Sequence, residues 1–355
     1  MINLIAPINP LGYGVVGLNI TKALDSQTDV SLWPVSQPQV STQEDADLIH
    51  RTIANAQKPD WLAPCIRIWH QNDMAQFVGR GDKVGFPIFE LDKFNHIETH
   101  HLSSLDKIFV CSEWAAQVVR DQIGSDQVYI IPLGVNSDIF SPSPLDNQEK
   151  DATIFFNCGK WEVRKGHDVI ARAFNKAFSP EDNVELWMMC DNPFCSEAET
   201  IEWEGLYKHS DLRDKIQIIS RVETSQEVYN IMSRVDCGLF PSRAEGWNLE
   251  ALELLSCGKH LIITDYSGHT EFCTKENSRL VTIEEKEMAY DGKWFDGKTG
   301  QWAKIGNSEI DQVVEHMRDV HKLKSEGSLG INEEGIKTAK RFSWENTAKN
   351  MIEYV

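Results

Sequence analysis

Residues Phe240–Glu253 read FPSRAEGWNLEALE and place two glutamates, Glu245 and Glu253, eight positions apart across a loop-to-helix junction. The segment VDCGLF just before Pro241 has the apolar run of a short strand. LEALELLSCG has helical apolar periodicity and is closed by Gly258. Glu245 therefore falls ahead of a helix and Glu253 inside it. Asn248 stands where a helix N-cap is expected, and the free amides and dipole of that helix end favour an anionic group such as a diphosphate. A carboxylate accepts several hydrogen bonds from vicinal hydroxyls, so a pair at fixed separation can measure a ligand's length. On spacing alone, an ordinary amphipathic helix with surface glutamates explains the pattern as well.

Working outward, LIITDYSGHTEF follows Gly258 and Lys259 as a second strand with a glycine-containing loop. Upstream, FFNCGKWEVRKGHDVIARAF sets Gly159, Lys160, Lys165 and Gly166 between an apolar strand and a helix. KIFVCSEWAAQVVRDQIGSDQVYIIPLGVNSDIFSP has a serine opening a helix and a Pro-Leu-Gly-Val-Asn turn. At the N-terminus the apolar MINLIAPI enters NPLGYGVVGLNITKAL, where Gly12, Gly14 and Gly17 would let backbone approach a ligand; a simple tight turn is an equal explanation. Taken together, these blocks resemble family 4 glycosyltransferases, which are retaining enzymes of the GT-B type. Lys160 stands where that family usually has arginine, which keeps the charge but loses the planar fork that grips phosphate bidentately.

The resemblance implies an α/β protein of the GT-B class: two facing Rossmann-like domains with parallel sheets and an interdomain cleft. The expected division is an acceptor domain over residues 1–145, a donor domain over 150–335 and a final helix over 340–355 crossing back to the first domain. SPSPLDNQEKD, residues 141–151, reads as the boundary. It also implies hexosyl transfer from a nucleoside diphosphate sugar (UDP-, GDP- or ADP-sugar) to an acceptor hydroxyl, with no cofactor and no metal. In that scheme Lys160 and Lys165 neutralise the leaving diphosphate, helped by amides near Asn248 and Leu249. Glu245, with Gly246, contacts the donor sugar, and Glu253 holds the ribose. The loop at Arg221 and Val222 seats the base. Gly12 and Gly14 approach the donor from the first domain. His70, after the apolar IRIW, is either a core histidine or a residue near the transferred sugar. Glu90, in GFPIFELDKF, either orients an acceptor hydroxyl or caps a turn.

Composition sets outer limits. The chain has 355 residues, enough for two domains, and 41% hydrophobic content. Its net charge of −19 argues against a broadly cationic surface for nucleic acid or anionic membrane. No apolar run approaches about 18 residues and no basic leader opens the chain, so no membrane span is expected and the cytoplasm is the expected location. The eight cysteines lack metal or redox spacing and read as reduced thiols. His96 and His100 are four apart, as metal ligands on a helix can be, but no carboxylate motif accompanies them. Three other readings stay open: transfer to a hydroxylated base in DNA or RNA, a non-catalytic sugar-nucleotide-binding protein, and an epimerase or phosphorylase on the same fold.

Overall fold

A computed structural model describes residues 1–142 and 152–355. Most of the boundary segment expected at residues 141–151 lies outside them. The chain forms two compact units, Met1–Val135 with Arg341–Val355, and Asn136–Lys340.

The first unit alternates β1 (Ile2–Ala6), α1 (Gly12–Asp25), β2 (Val30–Pro34), α2 (Gln43–Asn55), β3 (Cys65–Ile68), β4 (Lys83–Phe86), α3 (His96–Ser103), β5 (Lys107–Val110), α4 (Glu113–Ile123) and β6 (Val128–Ile130). Its strands form one parallel sheet in the order β2-β1-β3-β4-β5-β6. Strand residues such as Leu4, Ile66, Val84 and Phe109 are buried, as a parallel sheet covered on both faces requires. Local chemistry sets the helix ends. Ser112 caps α4 by accepting from Ala115 N at 3.2 Å, and Gly124 ends it at φ 69°, where a side chain would be strained.

The second unit runs β7 (Thr153–Cys158), α5 (His167–Ala177), β8 (Val184–Met189), α6 (Glu197–Lys208), β9 (Ile216–Ile218), α7 (Ser225–Met232), β10 (Cys237–Phe240), α8 (Leu249–Ser256), β11 (His260–Thr264) and β12 (Arg279–Val281). A two-stranded antiparallel sheet follows, β13 (Lys286–Tyr290) with β14 (Asp296–Ala303), and then α9 (Asn307–Ser325) and α10 (Glu333–Ala339). The main sheet is parallel in the order β12-β11-β10-β7-β8-β9, and its core gathers Phe155, Leu186, Leu239, Ile262 and Val313. The last helix, α11 (Trp344–Tyr354), returns to the first unit. There it lies against α1, and Thr347 donates to Pro132 O at 2.8 Å.

Each sheet reverses its strand order once, at β1/β3 in the first unit and at β7/β10 in the second. In open parallel sheets the crevice beyond the carboxyl ends of those strands is where ligands bind. Both units are therefore Rossmann-like, and each has one such edge. Among the described residues no helix is long and apolar enough to cross a membrane.

Candidate functional site

At the β7/β10 reversal two loops are locked together by their glycines. Gly159 follows β7 at φ 146°, and Gly166 opens α5 at φ 73°, both outside the range side chains adopt easily. A Cβ on Gly166 would stand 2.1 Å from Pro241 O, so only glycine lets the α5 turn seat on the end of β10.

Between these glycines the charged side chains form one continuous network with Glu245. Glu245 Oε1 pairs with Lys165 Nζ at 3.0 Å and accepts from Ser242 Oγ at 2.9 Å. Its Oε2 accepts from Arg164 Nη1 at 2.8 Å. Arg164 also donates to Ala244 O and, through Nη2, to Glu162 Oε2, each at 2.8 Å. Glu162 Oε1 in turn pairs with Lys160 Nζ at 2.9 Å. Three cations thus face two carboxylates within bonding distance. Glu245, Arg164 and Lys165 are only 4%, 6% and 6% exposed.

In Glu245, Lys165 and Glu162 the neighbouring charges favour the ionised form. Burial pushes the Glu245 carboxyl up, but Lys165 and Arg164 outweigh it and hold it at about 2. Burial pulls the Lys165 ammonium down, but Glu245 and then Glu250 keep it above the usual lysine value. Burial also raises Glu162, and Arg164 and Lys160 bring it below the ordinary range. Behind the network, burial draws His167 down to about 4; its neutral ring donates from Nε2 to Lys160 O at 2.8 Å and fixes that backbone.

The loop after β11 closes the other side. Glu245 N donates to Ser267 Oγ at 2.8 Å, and Gly268 N donates to Glu245 O at 2.9 Å. Ser267 holds φ 72° and ψ −153°, a region that costs a non-glycine residue about 1–3 kcal/mol. A Cβ on Gly268 would meet Gly246 O at 2.1 Å, so Gly246 and Gly268 are stacked backbone to backbone. His269 is buried, and that burial lowers its pKa; Nε2 donates to Thr264 O at 2.6 Å.

Helix α8 starts at Leu249 and is capped by Asn248, which sits at φ 81° and accepts from Ala251 N at 3.2 Å. Among the described residues the buried Asn248 Nδ2 amide has no hydrogen-bond partner. One turn on, the Glu253 carboxylate makes no hydrogen bond or ion pair among the described residues, and burial, then the neighbouring Glu250, raise it well above 4.5. Such a group destabilises the empty protein once it ionises. Because its folded pKa is raised, Glu253 costs nothing below about pH 4.5, and its penalty grows as pH climbs through the folded value. Glu253→Gln is therefore expected to melt at or above the wild-type temperature, with a gap that widens from pH 4.5 upward. Melting curves from pH 4.5 to 9 check this, and a gap independent of pH would refute it.

Cys158, at the end of β7, shows which groups share this edge. Burial raises its thiol, Glu250 and Glu253 raise it further, and Lys165 and Arg221 oppose them. Arg221 and Val222 are half-buried in the loop beyond β9.

The β1/β3 reversal of the first unit gathers the remaining candidates. Gly12 is the exposed first residue of α1, and a Cβ there would meet nothing. Gly14 and Gly17 lie within the helix, and their missing side chains admit Asn9 O and Pro7 O, 2.2 and 2.0 Å from where a Cβ would stand. The close approach they permit is to the chain's own β1–α1 loop. His70 and Glu90 sit in loops beyond β3 and β4, two and four residues past the strand ends. They meet around Tyr13. Its ring lies 4.7 Å from that of His70, its hydroxyl donates to Ile88 O at 2.6 Å, and burial, then Glu90, raise its pKa.

Arg164, Glu162, Ser267, His269 and Tyr13 were not singled out from the sequence. Lys160, Glu162 and Arg164 alternate in the sequence, but only Glu162 is extended, at φ −151°; Arg164 lies in the 3-10 turn Val163–Lys165. Nothing local marks Ser267 or His269. His96 and His100 share α3 and are exposed, and among the described residues no group of three or more His, Cys, Asp or Glu could hold a metal ion. All eight cysteines are free.

Residues 152–291 match the profile of the family described as Glycosyl transferases group 1. The chain is 24% identical over 189 residues to the phosphatidylinositol N-acetylglucosaminyltransferase GPI3 subunit of Saccharomyces cerevisiae, an alignment covering 51% of this chain and 40% of that protein. It is 23% identical over 187 residues to a GDP-mannose-dependent alpha-(1-6)-phosphatidylinositol dimannoside mannosyltransferase of Mycobacterium tuberculosis, covering 51% and 47%. The chain thus spans less than half the length of these relatives. Among solved structures, Anabaena HepE in complex with UDP and glucose superposes with a TM-score of 0.73 at 14% identity, over 99% of this chain and 98% of that one. Sucrose-phosphate synthase from Thermosynechococcus elongatus gives 0.70 at 15%, over 99% and 97%. At these identities the likeness establishes the fold, two Rossmann-like parallel-sheet domains of the GT-B kind.

Proposed function

We propose that this chain is a retaining glycosyltransferase that moves a sugar from a nucleoside diphosphate sugar to an acceptor hydroxyl without a metal ion. The observation that carries this reading is the network at the β7/β10 edge, where Lys160, Arg164 and Lys165 are gathered on Glu162 and Glu245 beside the capped start of α8. Cations fixed in place and, for Arg164 and Lys165, held out of water are worth most where negative charge develops, which in this reaction is the departing diphosphate. The group 1 match covers this region and supports sugar transfer.

In the proposed step the bond from the anomeric carbon to the phosphate oxygen breaks, and the acceptor oxygen bonds to that carbon from the same face. The acceptor's proton passes to the departing phosphate. Lys165 and Lys160 neutralise the phosphates, and amides at Asn248 and Leu249 add their dipoles. Glu253 accepts from the ribose hydroxyls, and the loop at Arg221 and Val222 seats the base. Glu245 keeps one face toward the donor sugar while it aligns Lys165. In the first unit, Gly12, His70 and Glu90 remain proposed ligand-binding positions at the β1/β3 edge. Eight free thiols fit a reducing compartment such as the cytoplasm.

Melting curves of the purified protein with UDP-, GDP- and ADP-sugars test the reading, because a ligand that binds only the folded state raises stability by mass action. At a hundredfold excess over Kd the gain is about 2.7 kcal/mol. One class of donor is expected to raise the melting temperature equally with and without EDTA, with slow release of its nucleoside diphosphate. No shift with any donor, or a shift abolished by the chelator, would sink the proposal.

A further inference from the structure

The β13–β14 pair is a sheet of its own, outside the parallel core of the second unit. Its tip is firmly built. Asp291 Oδ1 accepts from the amides of Lys293, Trp294 and Phe295 at 2.9, 2.8 and 2.8 Å. Lys293 Nζ donates to Phe194 O at 2.7 Å and pairs with Glu199 Oε1 at 2.9 Å, tying the tip to the loop after β8 and the start of α6. Phe295 packs on the buried Trp302 with ring centroids 5.4 Å apart.

This framework presents two aromatic rings to solvent. Trp294 is 56% and Phe194 47% exposed, and their rings meet at 80° with centroids 5.9 Å apart, as a floor and a wall. Lys160 Nζ lies 5.2 Å from the Phe194 ring centroid. The corner therefore adjoins the network that ends on Glu245.

We propose that the Phe194–Trp294 corner is a subsite for a pyranose ring of the acceptor, so that the acceptor is a glycan or glycoside. The inference rests on the glycosyl-transfer reading and names its acceptor class. Exposed aromatics add nothing to the core, and fixing them with three amide bonds and an ion pair makes sense where a ligand covers them. A pyranose ring has an apolar C–H face for one ring, an edge for the perpendicular one, and hydroxyls for the Lys293 ammonium. A nucleobase has two flat faces and gains little from a perpendicular wall.

The test compares wild type, Trp294→Ala and Trp294→Phe, using maltotriose, cellotriose, chitotriose and mannotriose as probes. Saturation-transfer NMR of the sugar C–H protons and tryptophan fluorescence titration report binding, and donor-induced melting shifts are recorded on the same samples. Saturable binding of at least one trisaccharide is expected. Trp294→Ala should weaken it roughly tenfold and Trp294→Phe should restore most of it, with the donor shift unchanged in all three proteins. A donor shift in wild type without saturable trisaccharide binding overturns the subsite, as does wild-type binding by Trp294→Ala. Loss of the donor shift in Trp294→Ala, with sugar binding intact, assigns the corner to the base and also overturns it. Trp294-dependent sugar binding with no donor shift in any protein leaves the corner a sugar site and removes the transferase reading instead.

Discussion

Lys165→Ala is expected to lower donor turnover by about 10²–10³-fold, the loss seen when one preorganised charge-stabilising group is removed from an active site. Lys165 is 6% exposed and held by Glu245 at 3.0 Å, so its ammonium is positioned before any ligand arrives and needs no reorganisation. Removing it also strips Glu245 of one partner, so stability must be separated from chemistry. The double variant Lys165→Met with Glu245→Gln removes both charges. It is expected to regain much of the melting temperature lost in Lys165→Ala while turnover stays low. Turnover within tenfold of wild type in Lys165→Ala, measured well below its melting temperature, would refute the assignment.

Arg164→Ala is expected to destabilise the second unit by about 3–5 kcal/mol, because it leaves Glu245 and Glu162 buried with a partner missing. For a unit of this size that corresponds to roughly 6–20 °C in its melting temperature. The effect has a definite pH dependence. Glu245 is held at about 2 against an ordinary 4.5, so its ionic contribution is complete above about pH 4.5 and is withdrawn as pH falls toward 2. The gap between wild type and Arg164→Ala should therefore be widest near neutrality and close through that window. Arg164→Lys keeps the charge but cannot bridge Glu245 and Glu162 with one planar fork, so it should recover only part of the loss. Equal melting temperatures for wild type and Arg164→Ala at pH 7 would show that the bridge contributes nothing.

Much of the second unit was readable from residue order alone. The apolar runs of β7, β10 and β11 stand out, and Asn248 announces the start of α8 by its chemistry. The network was half legible. Lys160, Lys165 and Glu245 stand out, whereas nothing in a string of residues says that Arg164 will be 6% exposed. In the first unit the glycines read as a ligand loop, but two of them lie inside α1 against Asn9 O and Pro7 O. A glycine records that something comes close, and only the fold says what.

The sequence by itself determined many of the local elements with their caps and breaks, because these follow from neighbours within a few positions. Tertiary structure alone decided that Arg164 bridges Glu162 to Glu245, that Ser267 is strained beneath the Glu245 amide, and that Phe194 and Trp294, 100 positions apart, form one corner. The reason is physical. Burial and charge partnership set the protonation and orientation of each of these side chains, and both depend on segments that parallel-sheet packing brings together from distant parts of the chain.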